Sequence, residues 1–174
     1  MISQKRILQA RIMKLLKYLF LGFAILFYSA SYVQAKTPEE YNLIGQKTLP
    51  SSPSYSFKRI KEKGLMAIKI LPKSKYDYSK ILLEKRLSEL VALVDVKDPN
   101  LIPGASQRFS YQAGILADLN SKLKTSDKEN IKVRFEENKK ILSELRDNYP
   151  ANSAHWLLIQ QNIDTLNILF DKMK

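Results

Sequence analysis

Five stretches of the chain repeat apolar residues at intervals of three and four, and proline, glycine and short polar runs stand between them. That period puts the apolar residues of a stretch on one face of an α-helix. No run alternates apolar and polar residues between turn signals, as a half-buried strand would. The pattern predicts an all-α bundle of about five amphipathic helices with short connections, built from antiparallel hairpins. At 174 residues the chain suits one domain of this kind. With no cysteine, its stability must come from packing rather than from disulfides or thiolate metal sites.

The N-terminus reads as an address. Lys14 and Lys17 precede an apolar run from Tyr18 to Tyr28, and Val33-Gln34-Ala35 offers the small residues a signal peptidase requires. Residues 1–35 are therefore expected to be a signal peptide, with Met13 a possible true start. The alternative is an uncleaved anchor, because Leu15 to Val33 approaches the ~20 residues that span a bilayer. In either case the rest of the chain is expected outside the cytoplasm, secreted or at the cell envelope. That location argues against a nucleic-acid partner despite the net charge of +12.

Residues 36–48 are polar, contain Pro38 and Gly45, and read as a linker whose Tyr41, Leu43 and Ile44 can dock on the body. A helical domain is expected over 49–124 and a C-terminal helical hairpin packed on it over 125–174. In the first helix Ser52 is the expected cap and Pro53 the first residue. Phe57, Ile60, Gly64, Ile68 and Leu71 form its stripe, Gly64 reads as a point of close helix contact, and Pro72 is expected to end it. After Lys73-Ser74-Lys75 a second helix carries Ser79, Leu83, Leu87, Leu90 and Val94, widened by Leu82 and Val91. The third runs from about Ala105 to Lys122 on Phe109, Gln112, Leu116, Leu119 and Leu123. Ser126 and Glu129 have the reciprocal capping spacing before the fourth, which presents Ile131, Phe135, Asn138, Leu142, Leu145 and Tyr149 up to Pro150. The fifth runs from about Ser153 to Met173 on Trp156, Ile159, Ile163, Leu166 and Phe170.

A short link between the first two helices makes them antiparallel, so residues equidistant from the turn lie level. Glu62 is eleven residues before Lys73 and Arg86 thirteen after it, which makes them neighbours, with Lys58 and Glu89 level one turn further on. These four are the candidate inter-helix ion-pair set, expected to fix the register of the hairpin.

In LPSSPSYSFKRIKEK, Pro50, Ser52, Pro53, Tyr55, Lys58, Arg59 and Glu62 fall in order on a pattern of Pro, Ser-Pro, Tyr, Lys-Arg and Glu, and Arg86, Leu87 and Glu89 supply a later Arg-Leu-x-Glu. Across Leu49 to Leu123 the chain resembles a bacterial family of exported all-helical domains of unknown function. An aromatic in the family's third helix is matched by Phe109 or Tyr111. Ser51, Ser54 and Ser56 depart from the pattern, and the C-terminal hairpin lies outside it. The resemblance implies export and a helical fold, and it carries no catalytic residue with it.

The charge is uneven. Residues 57–86 hold ten Lys or Arg against Glu62, Asp77 and Glu84, whereas the chain beyond the N-terminal segment is otherwise balanced. Lys73, Lys75, Tyr76, Tyr78 and Lys80, at the expected hairpin tip, form a candidate contact for a polyanion: an anionic membrane surface, a wall polymer or an acidic envelope protein. The plainer reading of that segment is a solvated turn.

No catalytic constellation accompanies this charge. His155 is the single histidine and reads as a capping or surface group, and Trp156 beside it as core. Glu136 and Glu137 point ~100° apart on a helix and cannot face one substrate together. There is no glycine-rich phosphate loop, no HExxH and no serine elbow. The expectation is a non-catalytic binding or structural module without cofactor or metal. A membrane-anchored sensor or regulatory subunit is the alternative, and nothing in the sequence specifies an oligomeric state.

Overall fold

A computed structural model describes Met13, residues 35–123 and residues 127–173. The signal peptide expected over 1–35, save Met13 and Ala35, and the Ser126 cap lie outside the described residues. The chain divides into two compact units, Met1–Val33 and Gln34–Lys174, and everything below concerns the second.

From Ala35 to Met173 the described residues form five α-helices and two short 3-10 turns, with no strand. The helices are α1 (Tyr55–Ile68), α2 (Pro72–Asp95), α3 (Ile102–Ser121), α4 (Lys128–Arg146) and α5 (Ala154–Asp171). The turns are Glu39–Tyr41 and Pro99–Leu101. None of the described helices is long and apolar enough to cross a membrane.

The expected stripes of α2 to α5 face inward. Leu83, Leu87, Leu90, Val91 and Val94 of α2 meet Phe109 and Leu116 of α3, Ile131, Phe135 and Leu142 of α4, and Ile159 and Leu166 of α5 in one buried cluster. Each such side chain gains roughly 1.5–3 kcal/mol from leaving water. The closest packing is of α2 on α3, α4 on α5 and α3 on α5. Some polar side chains within the core pair with one another: Gln112 Nε2 donates to Ser79 Oγ at 2.7 Å, and Ser106 and Ser110 both donate to Asn162 Oδ1, whereas Asn138 Nδ2 and Asn162 Nδ2 are buried without a partner. At the head of α5, Ser153 Oγ accepts the Trp156 amide, a side-chain cap at the expected position.

Several boundaries differ from those expected. Pro72 opens α2 instead of ending α1. Its missing amide is one that a first-turn residue leaves unpaired in any case, and the residue before it, Leu71, takes the extended backbone that proline favours. α1 has already stopped at Ile68, with Lys69 extended. At its start, Ser52 and Pro53 belong to a turn closed by the Tyr55 amide on the Ser52 carbonyl, and neither Ser52 nor Ser54 caps the helix with its side chain. α3 takes Pro103 and Gly104 into its first turn, and α4 ends at Arg146, ahead of Pro150.

The largest difference is which way α1 faces. Phe57, Ile60 and Ile68 are 75%, 67% and 72% exposed, and Ile70 and Leu71 after them are exposed as well. A Cβ added to Gly64 would meet nothing, so this glycine is not a helix contact. The one buried residue of α1 is Glu62. The helix therefore turns its charged side to the body and its apolar stripe to solvent, the reverse of the arrangement its periodicity predicts.

The segment from Lys36 to Thr48 lies against the body. Lys36 Nζ and the Tyr41 hydroxyl donate to Glu144 Oε2 at 2.6 and 3.1 Å, and Ser88 Oγ donates to the Ile44 carbonyl at 2.8 Å. Tyr41 and Leu43 pack against the core, while the Ile44 side chain stays exposed.

Candidate functional site

What holds α1 down is a line of charge. Tyr55, Lys58 and Glu62 recur at intervals of three and four, which puts them on one helical face, opposite Gly64. Arg86 and Glu89, one turn apart on α2, present the complementary pair. Lys58 Nζ donates to Glu89 Oε1 at 2.8 Å, and Arg86 Nη1 reaches the same oxygen at 2.6 Å. The other guanidinium nitrogen of Arg86 bonds Glu62 Oε2, and Arg59 approaches that oxygen at 3.3 Å. All four residues expected to pair across the helices are thus in contact, and the set is buried: the side chains of Arg86 and Glu89 are 1% and 0% exposed.

Three further groups complete it. The Tyr55 hydroxyl donates to Glu89 Oε2 at 2.9 Å. Lys58 also donates to Gln46 Oε1 and to the Thr48 carbonyl, which ties the preceding segment to the same cluster. The Arg108 guanidinium of α3 lies over the Tyr55 ring at 5.3 Å. Tyr55 was findable, since it shares the Lys58 and Glu62 face; Gln46 and Arg108 carry no sequence signal of proximity.

The electrostatics follow from this packing. Burial opposes ionisation of Glu89, yet Arg86, Lys58 and the Tyr55 hydroxyl together hold its carboxyl below the ordinary range. Burial, and then the Glu89 charge, push the Tyr55 phenol up to about 12, so it remains a donor. Burial works against the Arg86 charge, and the two carboxylates beside it more than restore it. The Lys58 ammonium, the Tyr55 hydroxyl and the two terminal nitrogens of Arg86 all donate to protein acceptors, an arrangement suited to holding two helices together rather than to moving protons. Three atoms are left over: Arg108 Nε and Nη2 and Glu62 Oε1 are buried without a hydrogen-bond partner, with Lys85 Nζ 3.9 Å from the carboxylate oxygen. Glu62 borders a cleft of about 400 Å³ among α1, α2 and α3, whose wall includes Arg59, Lys63, Met66 and Gln112.

The segment from Lys73 to Lys80 is corrected in its placement. It forms the first two turns of α2 instead of a solvated tip, and its tyrosines point inward, Tyr76 being 0% and Tyr78 9% exposed. The Tyr76 hydroxyl donates to Asp127 at 3.3 Å, and burial followed by Asp127 pushes its phenol up to about 12. Lys73 and Lys80 lie over the Tyr76 ring and both pair with Asp77, while Lys75 lines the cleft. Neither ring is available to an interface. Lys61 and Lys63 of α1, by contrast, are exposed and have no ionic partner among the described residues.

Elsewhere His155 shares a hydrogen bond of 3.2 Å with the Pro99 carbonyl and packs beside the Tyr149 ring, and Glu136 pairs with Lys139. Among the described residues no group of His, Asp or Glu is placed to hold a metal ion.

Comparison with protein-family models, with curated proteins and with solved structures finds no match. The likeness of Leu49 to Leu123 to exported helical domains therefore rests on the residues quoted for it.

Proposed function

We propose that the protein is a non-catalytic helical module of the cell envelope, exported by its N-terminal segment, that contacts an anionic surface through its first two helices. In this reading the chain belongs with the exported helical domains that its Pro-Ser-Pro-Tyr and Arg-Leu-x-Glu segments resemble. Antiparallel hairpins build it: Lys58 with Glu89, Glu62 with Arg86 and Lys69 with Ser74 support the first, and Arg146 with Gln160 and Lys139 with Asn167 the last.

One observation carries the reading. The three acids among the ten cations of residues 57–86 are already engaged, Glu62 with Arg86, Asp77 with Lys73 and Lys80, and Glu84 with Arg134. Of the cations left over, Lys61 and Lys63 are exposed and have no ionic partner among the described residues. Near an anionic surface each such cation contributes ~1 kcal/mol, within a Debye length of ~8 Å at physiological salt.

Retention of the chain on immobilised polyphosphate or teichoic acid at rising salt tests this. Wild type is expected to elute well above a Lys61→Glu/Lys63→Glu variant, and Lys73→Glu/Lys75→Glu/Lys80→Glu to lie between them. Retention that ignores salt and both reversals would contradict it.

A second reading keeps Leu15 to Val33 as an uncleaved anchor of a sensor or regulatory subunit, supported by the length of that apolar stretch. The mass of the protein from its host separates the two. A chain beginning at Lys36 excludes the anchor, and an intact N-terminus excludes cleavage.

A further inference from the structure

We infer that the anionic surface is a lipid bilayer, and that α1 lies in its headgroup region with the outward stripe of Phe57, Ile60 and Ile68 among the acyl chains. This rests on the anionic-surface reading above and narrows it to one partner.

The stripe is long and continuous for a surface feature. Phe57, Ile60, Gly64 and Ile68 follow one another at intervals of three and four, and exposed Ile70 and Leu71 extend the row beyond the helix. From Phe57 to Ile68 it runs ~17 Å along the helix axis at 1.5 Å per residue. Scattered exposed apolar residues need no explanation, but an ordered row of them on one element marks a contact surface.

Its borders identify the occupant. At 100° per residue the row centres on Gly64, with Lys61 ~60° to one side and Lys63 ~100° to the other. Both are exposed, and the one acid of α1, Glu62, points away into the body. An apolar row between two cationic edges matches a surface that is anionic at headgroup level and apolar just below it. A wall polymer meets the cations and leaves the isoleucines in water. A second copy of this face, laid on the first, sets lysine edges against lysine edges with no outward acid on either helix to relieve them. The buried cluster of Tyr55, Lys58, Arg86 and Glu89 fixes the helix in this orientation, so the face is presented before any lipid arrives.

The absence of cysteine allows a direct test with the full chain. An environment-sensitive nitrobenzoxadiazole label is placed on an Ile60→Cys variant and, as a control, on a Leu157→Cys variant, whose native side chain is half exposed on α5. Vesicles of phosphatidylcholine with or without phosphatidylglycerol are added. The N-terminal apolar run contributes equally to both variants, so comparison by position isolates α1. A blue shift and several-fold rise in emission are expected at position 60 with phosphatidylglycerol, lost on adding Lys61→Glu/Lys63→Glu, and absent at position 157.

No response at position 60 overturns the inference. If the chain is still held on polyphosphate in a salt-dependent way, the anionic-surface reading survives that failure; if it is not, both fall. A response equal in the two lipids overturns the anionic requirement. A response that grows with protein concentration without lipid places a second copy on the face and overturns the inference as well.

Discussion

Arg86 illustrates how a single side chain sets the behaviour of a helix it does not belong to. It reaches Glu62 on α1 and Glu89 on its own helix while almost wholly buried. Its removal would leave two carboxylates desolvated with one fewer cation, which costs ~3–5 kcal/mol in buried pairs of this kind. Urea unfolding of Arg86→Ala is expected to show a loss of that size. A loss under 1 kcal/mol would place the set among surface pairs. Acidification gives a second test. Because the folded carboxyl of Glu89 ionises below its unfolded range, its contribution is full above the unfolded value of 4.5 and is lost as pH falls through the lower folded value. The melting temperature of wild type is expected to drop below about pH 4.5 more steeply than that of Glu89→Gln. Parallel profiles would refute this coupling. The partners themselves were legible, since two acids and two bases at matched distances from a short turn can hardly avoid each other in an antiparallel pair. Their burial was not, because it depends on the depth at which α1 seats, and no spacing in the sequence encodes depth.

The helices α2 to α5 follow from periodicity because each inward stripe meets one shared core. α1 has a stripe of the same quality, and no other element among the described residues covers it. Periodicity identifies which residues share a face, and the partner decides whether that face is buried. Here the competing face, Tyr55, Lys58 and Glu62, found complementary charge on α2 and took the inward position. Proline misled in a similar way. Pro72 was expected to end a helix and instead begins one, two roles that a proline in a short link fits equally well. The consequence is a stability contrast between elements. Ile60→Ser on α1 is expected to change unfolding free energy by no more than ~0.5 kcal/mol, whereas Leu87→Ala on α2 is expected to cost ~2–5 kcal/mol. In hydrogen exchange the amides of α1 should open before those of α2, since one buried residue holds α1 against fourteen in α2. Equal protection of the two helices would contradict this order.

For the molecule as a whole, the structure separates two tasks. A core shared by α2, α3, α4 and α5 supplies the packing, and α1 adds a surface that packing does not require. The expected polyanion contact at Lys73 to Lys80 lies beside that surface. Aromatic residues among lysines read as an interface motif, yet on α2 both rings fall on the buried side. The exposed cations without an ionic partner, Lys61 and Lys63, lie on α1, where they border exposed isoleucine. Membrane contact by this surface requires α1 to face outward in the free protein. Thiol modification rates of Ile60→Cys and Leu83→Cys, measured in the folded and urea-unfolded chain, test this most directly. Position 60 is expected to react in the folded protein within a few-fold of its unfolded rate, and position 83 to be protected by several orders of magnitude. Protection of position 60 comparable to that of position 83 would show the stripe to be covered and would contradict that orientation.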